Sequence, residues 1–89
     1  MMDHDALYLE EKALYDAMNQ NQDYLAWERD SDAHERNRIT NEVNGKNKAF
    51  RKTLSPGAAV YFDYLWATAD LYEKYGGVRP VWSMEELEW

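Results

Sequence analysis

The stretch from Ser55 to Gly77 constrains the fold most, because it predicts a helix that is apolar around most of its circumference. Ser55 is a good N-cap, Pro56 suits the first helical position, and a glycine pair ending at Gly77 marks the stop. A single polar stripe remains on this helix, formed by Asp63, Asp70 and Lys74. Such a helix must be covered by neighbours, so we predict that it is the core of a small helical domain.

Apolar periodicity in the rest of the chain predicts three further helices. The four helices are expected at about residues 4–19, 24–53, 56–75 and 84–88. The last begins with a capping box, formed by Ser83 and Glu86. We therefore predict one all-α domain over residues 1–89, a three-helix bundle with a short C-terminal fourth helix.

The predicted second helix contains a conflict between two signals. Ile39, Val43 and Phe50 recur on one side of a continuous helix, which favours a helix that runs through Gly45 on its exposed side. The dipeptide Asn44-Gly45 is also a strong turn signal. We give the periodicity precedence and predict an unbroken helix from about residue 24 to about residue 53.

Composition limits the class of protein. The chain has 89 residues and no cysteine, which excludes disulfides and thiolate sites. No apolar run approaches the roughly 20 residues of a membrane span, and the first residues are acidic where a signal peptide would be basic. We expect a soluble, cytoplasmic protein without a cofactor.

Charge divides the chain into three parts. Residues 1–35 carry ten acids against Lys12 and Arg29, residues 36–56 carry six bases against Glu42 alone, and the remainder is again acidic, for a net charge of -7. An acidic surface of this kind favours a basic protein partner. The same division permits a homodimer as well as a monomer, with the basic middle of one copy against an acidic end of the other.

The favoured function is therefore protein binding without catalysis. We expect an accessory protein of a phage or another mobile element that inhibits or adapts a host protein, one that handles nucleic acid, by covering its basic surface. Acidic residues would steer the encounter and aromatic residues would anchor it. The predicted contact residues are Glu28, Asp30, Asp32, Glu35, Tyr75, Trp82 and Trp89. Trp82 and Trp89 have the alternative of packing on the bundle itself.

The alternative function is nucleic-acid binding through the basic face of the second helix. The cations expected to contact phosphates are Arg38, Lys48, Arg51 and Lys52. No aromatic residue is interleaved on that face, and the flanking segments are acidic. The same cations could instead meet the acidic first helix of their own chain.

A third hypothesis is a ribonuclease. Arg29 and His34 are separated by four residues, and this spacing resembles the short Arg-x4–6-His signature of HEPN-type ribonucleases. The resemblance implies an all-helical, often dimeric enzyme in which Arg29 and His34 of two subunits act on the ribose 2′-hydroxyl and the scissile phosphate. The alternative is that both residues lie on a charged, solvated helix face. Acids and histidines also cluster at residues 3–5 and 30–35, but no spacing there matches a metal site.

Overall fold

The computed structural model describes residues 4–76, and every regular element in this range is a helix. The elements are α1 (His4–Asn19), α2 (Gln22–Asp30), α3 (Ala33–Asn44), a 3₁₀ helix (Lys48–Thr53) and α4 (Pro56–Gly76). The all-α fold class is confirmed. The predicted fourth helix at 84–88 lies outside the described residues.

Helix α4 is the centre of the bundle, as its sequence predicts. Helices α1, α2 and α3 all pack against it, and its predicted polar stripe is the part left exposed. The exposed stripe consists of Asp63, Asp70 and Lys74. The neighbouring helices therefore cover the apolar part of α4, which is where most of its hydrophobic stabilisation arises.

One cluster of the hydrophobic core lies between α3 and α4 and consists of five buried residues: Ile39, Val43, Ala58, Phe62 and Leu65. Buried apolar residues of α1 and α2 add to the core: Leu7, Met18 and Tyr24. Trp27 and Trp66 are half-buried and pack against this cluster. Both tryptophans thus contribute to the core while keeping part of their surface exposed.

The prediction of one long second helix is wrong, and the first reason is Asp32. The backbone is extended at Ser31 and Asp32, between α2 and α3. The Asp32 carboxylate accepts a hydrogen bond from the backbone N–H of Glu35 at 2.9 Å, which makes it the N-cap of α3. Continuing the helix would have placed this charged side chain on the apolar side. Capping a new helix satisfies both the carboxylate and a free backbone donor.

The second break follows α3, at the Asn-Gly turn signal that the periodicity overrode. Gly45 is the C-cap, and its backbone N–H donates to the Asn41 and Val43 carbonyls. Lys46 has φ of 58°, in the left-handed region, so the chain turns sharply before the 3₁₀ helix begins at Lys48. The turn is a connection between helices, and the apolar register resumes beyond it at Phe50.

Close packing of α2 on α4 depends on Gly57. A methyl group at this position would overlap the backbone carbonyl of Asp23 and the Cβ atom of Trp27. The absence of a side chain therefore allows the two helices to approach closely. Sequence reasoning assigned Gly57 no role beyond the first turn of α4.

Candidate interaction surfaces

The four acids predicted to contact a partner all lie around the junction of α2 and α3. Asp32 caps α3, and Glu35 Oε1 accepts a hydrogen bond from the Trp27 indole at 3.0 Å. Asp30 is exposed, with Oδ1 3.9 Å from Nε of Arg29. The side chain of Glu28 is half-buried, and its backbone carbonyl accepts from Ser31 Oγ at 3.1 Å. Two of the four carboxylates, those of Asp32 and Glu35, therefore also stabilise the fold through hydrogen bonds.

The predicted aromatic anchors are described only in part. Tyr75 is half-buried near the end of α4, with Nζ of Lys74 5.0 Å from its ring centroid. Hydrogen bonding to the Glu10 carboxylate raises the pKa of the Tyr75 hydroxyl. Trp82 and Trp89 lie outside residues 4–76. Tyr75 therefore interacts with α1 near the C-terminal end of α4.

The four cations of the predicted nucleic-acid face do not lie on one helix. Arg38 belongs to α3, whereas Lys48, Arg51 and Lys52 belong to the 3₁₀ helix. Nε and Nη2 of Arg51 donate to the two carboxylate oxygens of Asp63 at 2.8 and 2.9 Å. This bidentate pair raises the pKa of Arg51 and engages its charge within the chain.

The other three cations are exposed: Arg38, Lys48 and Lys52. The guanidinium of Arg38 lies 5.6 Å from the ring centroid of Phe50, and Nζ of Lys48 lies 5.7 Å from that of Trp66. Both rings pack against the hydrophobic core. Sequence reasoning placed neither ring beside these cations, because Trp66 comes from another helix and Phe50 was assigned to the apolar side of one continuous helix. Both distances fall within the range of cation–π contacts, which is about 6 Å.

A groove between α1 and α4 exposes aromatic side chains. Its volume is about 550 Å³, and we call it the tyrosine groove; it is lined by Tyr8, Glu11, Lys12, Tyr15, Asp16 and Tyr64. Tyr8 is 63% exposed and Tyr15 is 52% exposed. The Tyr15 and Tyr64 rings meet edge to face, with centroids 6.0 Å apart. Large, exposed aromatic side chains of this kind are characteristic of protein-binding surfaces.

Hydrogen bonds and an ion pair fix the charged rim of the tyrosine groove. The Tyr72 hydroxyl donates to Glu11 Oε2 at 3.1 Å, and Nζ of Lys12 lies 2.8 Å from Asp16 Oδ2. Burial raises the pKa of the Tyr64 hydroxyl, so this ring is neutral at physiological pH. Helix α1 as a whole carries four carboxylates against one lysine. The groove therefore combines tyrosine rings with an acidic setting.

The sequence contains one signal for the tyrosine groove. Tyr8 and Tyr15 are seven residues apart, and this spacing places them on the same side of α1. It does not reveal that Tyr64 approaches from α4, 49 residues further along the chain than Tyr15. The pair alone is equally consistent with a packed helix face.

The two residues of the ribonuclease hypothesis lie on different helices. Arg29 is exposed near the end of α2, and His34 is exposed in the first turn of α3, beyond the break at Ser31 and Asp32. His34 lines a shallow depression with Glu35 and Arg38. The arrangement places both residues on a charged surface at this junction.

Two kinds of site are not found in the described part of the chain. Residues 4–76 contain no group of three histidine, cysteine or acidic side chains that could hold a metal ion. No helix in the same range combines the length and the apolar character needed to cross a membrane.

Comparison of this chain with protein-family models, curated proteins and solved structures finds no match. The fold and its surfaces define a small all-α protein with a tyrosine groove between α1 and α4.

Proposed function

We propose that the protein is a small, non-enzymatic binding module that holds a basic segment of a partner protein in the tyrosine groove. The observation that carries the proposal is the exposure of Tyr8 and Tyr15 beside Tyr64, on a helix with four carboxylates against one lysine. Tyrosine supplies a large contact area with few rotatable bonds, and it is enriched among the residues that dominate binding energy.

The spacing of the tyrosines indicates what a partner would present. Tyr8 and Tyr15 are separated by seven residues of α1, which is two turns or about 10.5 Å. A partner helix with two lysines or arginines seven residues apart would bring one cation to each ring. Each such contact contributes about 0.5–2 kcal/mol, depending on how far it is desolvated. The preference for cations over carboxylates or a purely apolar peptide comes from the acidic residues of α1.

Charge supports the same class of partner. Glu11, Lys12 and Asp16 line the tyrosine groove, and the Lys12–Asp16 ion pair leaves Glu11 as its excess negative charge. Asp30 is a further exposed carboxylate, at the α2–α3 junction. Oppositely charged surfaces associate faster, and this effect weakens as salt screens it. We propose that the partner is a nucleic-acid-handling protein, since its own binding surface is necessarily basic. By covering that surface the module would inhibit or adapt its partner, a role suited to an accessory protein of a mobile element.

The experiment measures binding of a fluorescent helical peptide that carries two arginines seven residues apart. The test variant is the double substitution Tyr8→Ser and Tyr15→Ser, and the control is Leu25→Ser, which removes an exposed apolar side chain (38% exposed) from α2. We expect the wild-type protein and the control to bind alike and the double variant to bind at least about tenfold more weakly, corresponding to about 1.4 kcal/mol.

Thermal unfolding of each variant would establish that the fold is retained. A matched peptide with glutamates in place of the arginines should not bind to any of them. The proposal is overturned if the double variant binds the basic peptide as tightly as the wild-type protein, or if the glutamate peptide binds equally well. Either result would show that the tyrosine groove is not a specific binding site for basic segments.

A further inference from the structure

A second groove between α1 and α4 is lined mainly by apolar side chains, and we call it the apolar groove. It consists of two adjoining cavities of about 360 and 310 Å³, which share Leu14 and Ala67. We propose that the apolar groove binds the segment that follows α4 in this chain, residues 77–82, which lies outside the described residues. The proposal goes beyond the binding of a partner in the tyrosine groove and does not depend on it.

Contacts within residues 4–76 leave apolar surface open along this groove. Leu14, Ala67 and Leu71 are half-buried, although they lie between two packed helices, and Ala13 and Ala17 are exposed. An apolar side chain laid over these residues would remove their remaining surface from water. The gain is proportional to the apolar area that is buried, so a large side chain is favoured.

One end of the apolar groove carries a carboxylate oxygen that lacks a donor. Glu10 lines the groove beside Leu71, and its Oε2 atom is buried without a hydrogen-bond partner among the described residues. Nζ of Lys74 lies 3.7 Å from the other oxygen, Oε1. A buried carboxylate oxygen is costly unless a hydrogen bond satisfies it. This end of the groove therefore favours a cationic donor.

The segment that follows α4 contains such a donor close to this point. The contact between Glu10 and Lys74 places Glu10 beside the last turn of α4, which ends at Gly76. Arg79 is three residues further on, at most about 10 Å along the chain, and its guanidinium offers five N–H donors. It is also the only cation among residues 77–89. Arg79 is therefore the proposed partner of Glu10.

Trp82 would then reach the apolar part of the groove. It is three residues beyond Arg79, at most about 10 Å further along the chain. Glu10 and Leu14 are four residues apart on α1, about 6 Å along the helix axis. With Arg79 at Glu10, the indole of Trp82 can cover Leu14 and Ala67. Tryptophan offers a large apolar area for this purpose.

A segment of the same chain is favoured over a separate molecule as the occupant. A short linker holds a tethered group at an effective concentration in the millimolar range. Arg79 and Trp82 are three and six residues from Gly76, so both are tethered in this way. A separate partner would have to present the same pair of side chains at a comparable concentration.

The α1 side chains that line the apolar groove and the tyrosine groove point to nearly opposite sides of this helix. Ala13 and Tyr15 are two residues apart, so at 100° per residue their side chains leave the axis about 160° apart. Tyr64 of α4 borders both grooves. A position on each side of α1 can therefore report on one groove at a time.

The experiment measures disulfide formation in the full-length protein, which has no cysteine of its own. The test protein carries Ala13→Cys and Val81→Cys, and the control protein carries Tyr8→Cys and Val81→Cys. Ala13 lines the apolar groove and Tyr8 lines the tyrosine groove, at three and two residues from Glu10. A disulfide requires the two Cβ atoms to approach within about 4.5 Å. An untethered preference would favour the control, because Tyr8 is 63% exposed.

We expect the test protein to form an intramolecular disulfide at least about tenfold faster than the control in a glutathione buffer. Thiol alkylation and mass spectrometry follow the reaction at several protein concentrations. Adding Glu10→Gln, Arg79→Gln or Trp82→Ser to the test protein should slow it towards the control rate. Adding Trp89→Ser should leave the rate unchanged, and circular dichroism of each variant would establish that the helices are retained.

Three results would overturn the proposal. Equal rates in the test and control proteins would show that the segment has no preference for the apolar groove. A covalent dimer whose share rises with protein concentration would assign the groove to a second copy of the chain. Rates that are insensitive to Arg79→Gln and Trp82→Ser would exclude these side chains as the occupants. None of these measurements involves the basic peptide, so they are independent of binding in the tyrosine groove.

Discussion

The indole nitrogen of Trp27 donates a hydrogen bond to Glu35 Oε1 at 3.0 Å, and this bond joins α2 to α3 across the break between them. We call this junction of α2 and α3 the corner. Nε of Arg36 adds a second hydrogen bond there by donating to Ser31 Oγ at 3.1 Å. The Trp27 ring also lies 5.3 Å from the ring of Tyr61 on α4, centroid to centroid. The corner is thus anchored to the bundle by polar and apolar contacts together.

Two substitutions of Glu35 should distinguish the contribution of its hydrogen bond to stability from the contribution of its charge. Glu35→Ala leaves the half-buried indole N–H of Trp27 without its acceptor, and we expect the free energy of unfolding to fall by about 1–3 kcal/mol. Glu35→Gln keeps an acceptor oxygen and should cost less than about 1 kcal/mol. Urea unfolding of both variants measures the difference. Equal stability of the two would mean that the bond contributes nothing to the corner.

Two Gly→Ala substitutions should have opposite effects. At Gly57 an added methyl group would overlap α2, so we expect the free energy of unfolding to fall by about 1–3 kcal/mol. At Gly45 the added Cβ atom would meet the Asn41 carbonyl at an ordinary 3.5 Å, and φ is -81°. Gly45→Ala should be neutral or stabilising by up to about 1 kcal/mol, because it restricts the unfolded chain. Urea denaturation compares them directly. A Gly57→Ala protein as stable as the Gly45→Ala protein would contradict the close packing of α2 on α4.

The N-cap of α3 should account for most of the effect of changing Asp32. Asp32→Ala removes the acceptor for the Glu35 backbone N–H and should cost about 1 kcal/mol. Asp30→Ala makes the same change of charge at the exposed C-terminal end of α2, where a carboxylate is unfavourable to the helix dipole. This control should leave stability unchanged or slightly raised. Thermal unfolding measures both, and equal losses would indicate a general charge effect in place of capping.

Stability should decline in alkaline solution through the buried tyrosines. Burial raises the pKa of Tyr24, Tyr64 and Tyr72 above the ordinary value of 10.0. The unfolded chain therefore loses these protons first, so their contribution to stability is complete below about pH 10 and is lost as pH rises through the higher folded-state values. Urea unfolding from about pH 8 to about pH 11.5, with tyrosinate absorbance, measures this loss. Replacing Tyr24 and Tyr64 with Phe should make the decline shallower; an unchanged decline would assign it to other groups.

Local features of the sequence were sufficient to predict α1 and α4. Both predicted helices match the observed boundaries to within one residue, and the polar stripe of α4 is exposed as expected. These properties depend on periodicity and on residues such as Pro56 that act within one turn. The prediction of one unbroken second helix was wrong for a related reason. Ile39, Val43 and Phe50 keep a common apolar side through the turn at Gly45, so their periodicity does not record the break.

Side-chain spacing along single helices was therefore determined by the sequence itself, including the shared side of Tyr8 and Tyr15. Only the tertiary structure brought Tyr64 to the tyrosine groove, Trp66 beneath Lys48, and Asp63 to Arg51. It also gave Gly57 its role, since the need for a glycine there comes from Asp23 on α2. Periodicity and capping describe forces within a few turns of one chain segment. Contacts between separate segments depend on how whole helices pack, and that is decided when all their apolar faces are buried together.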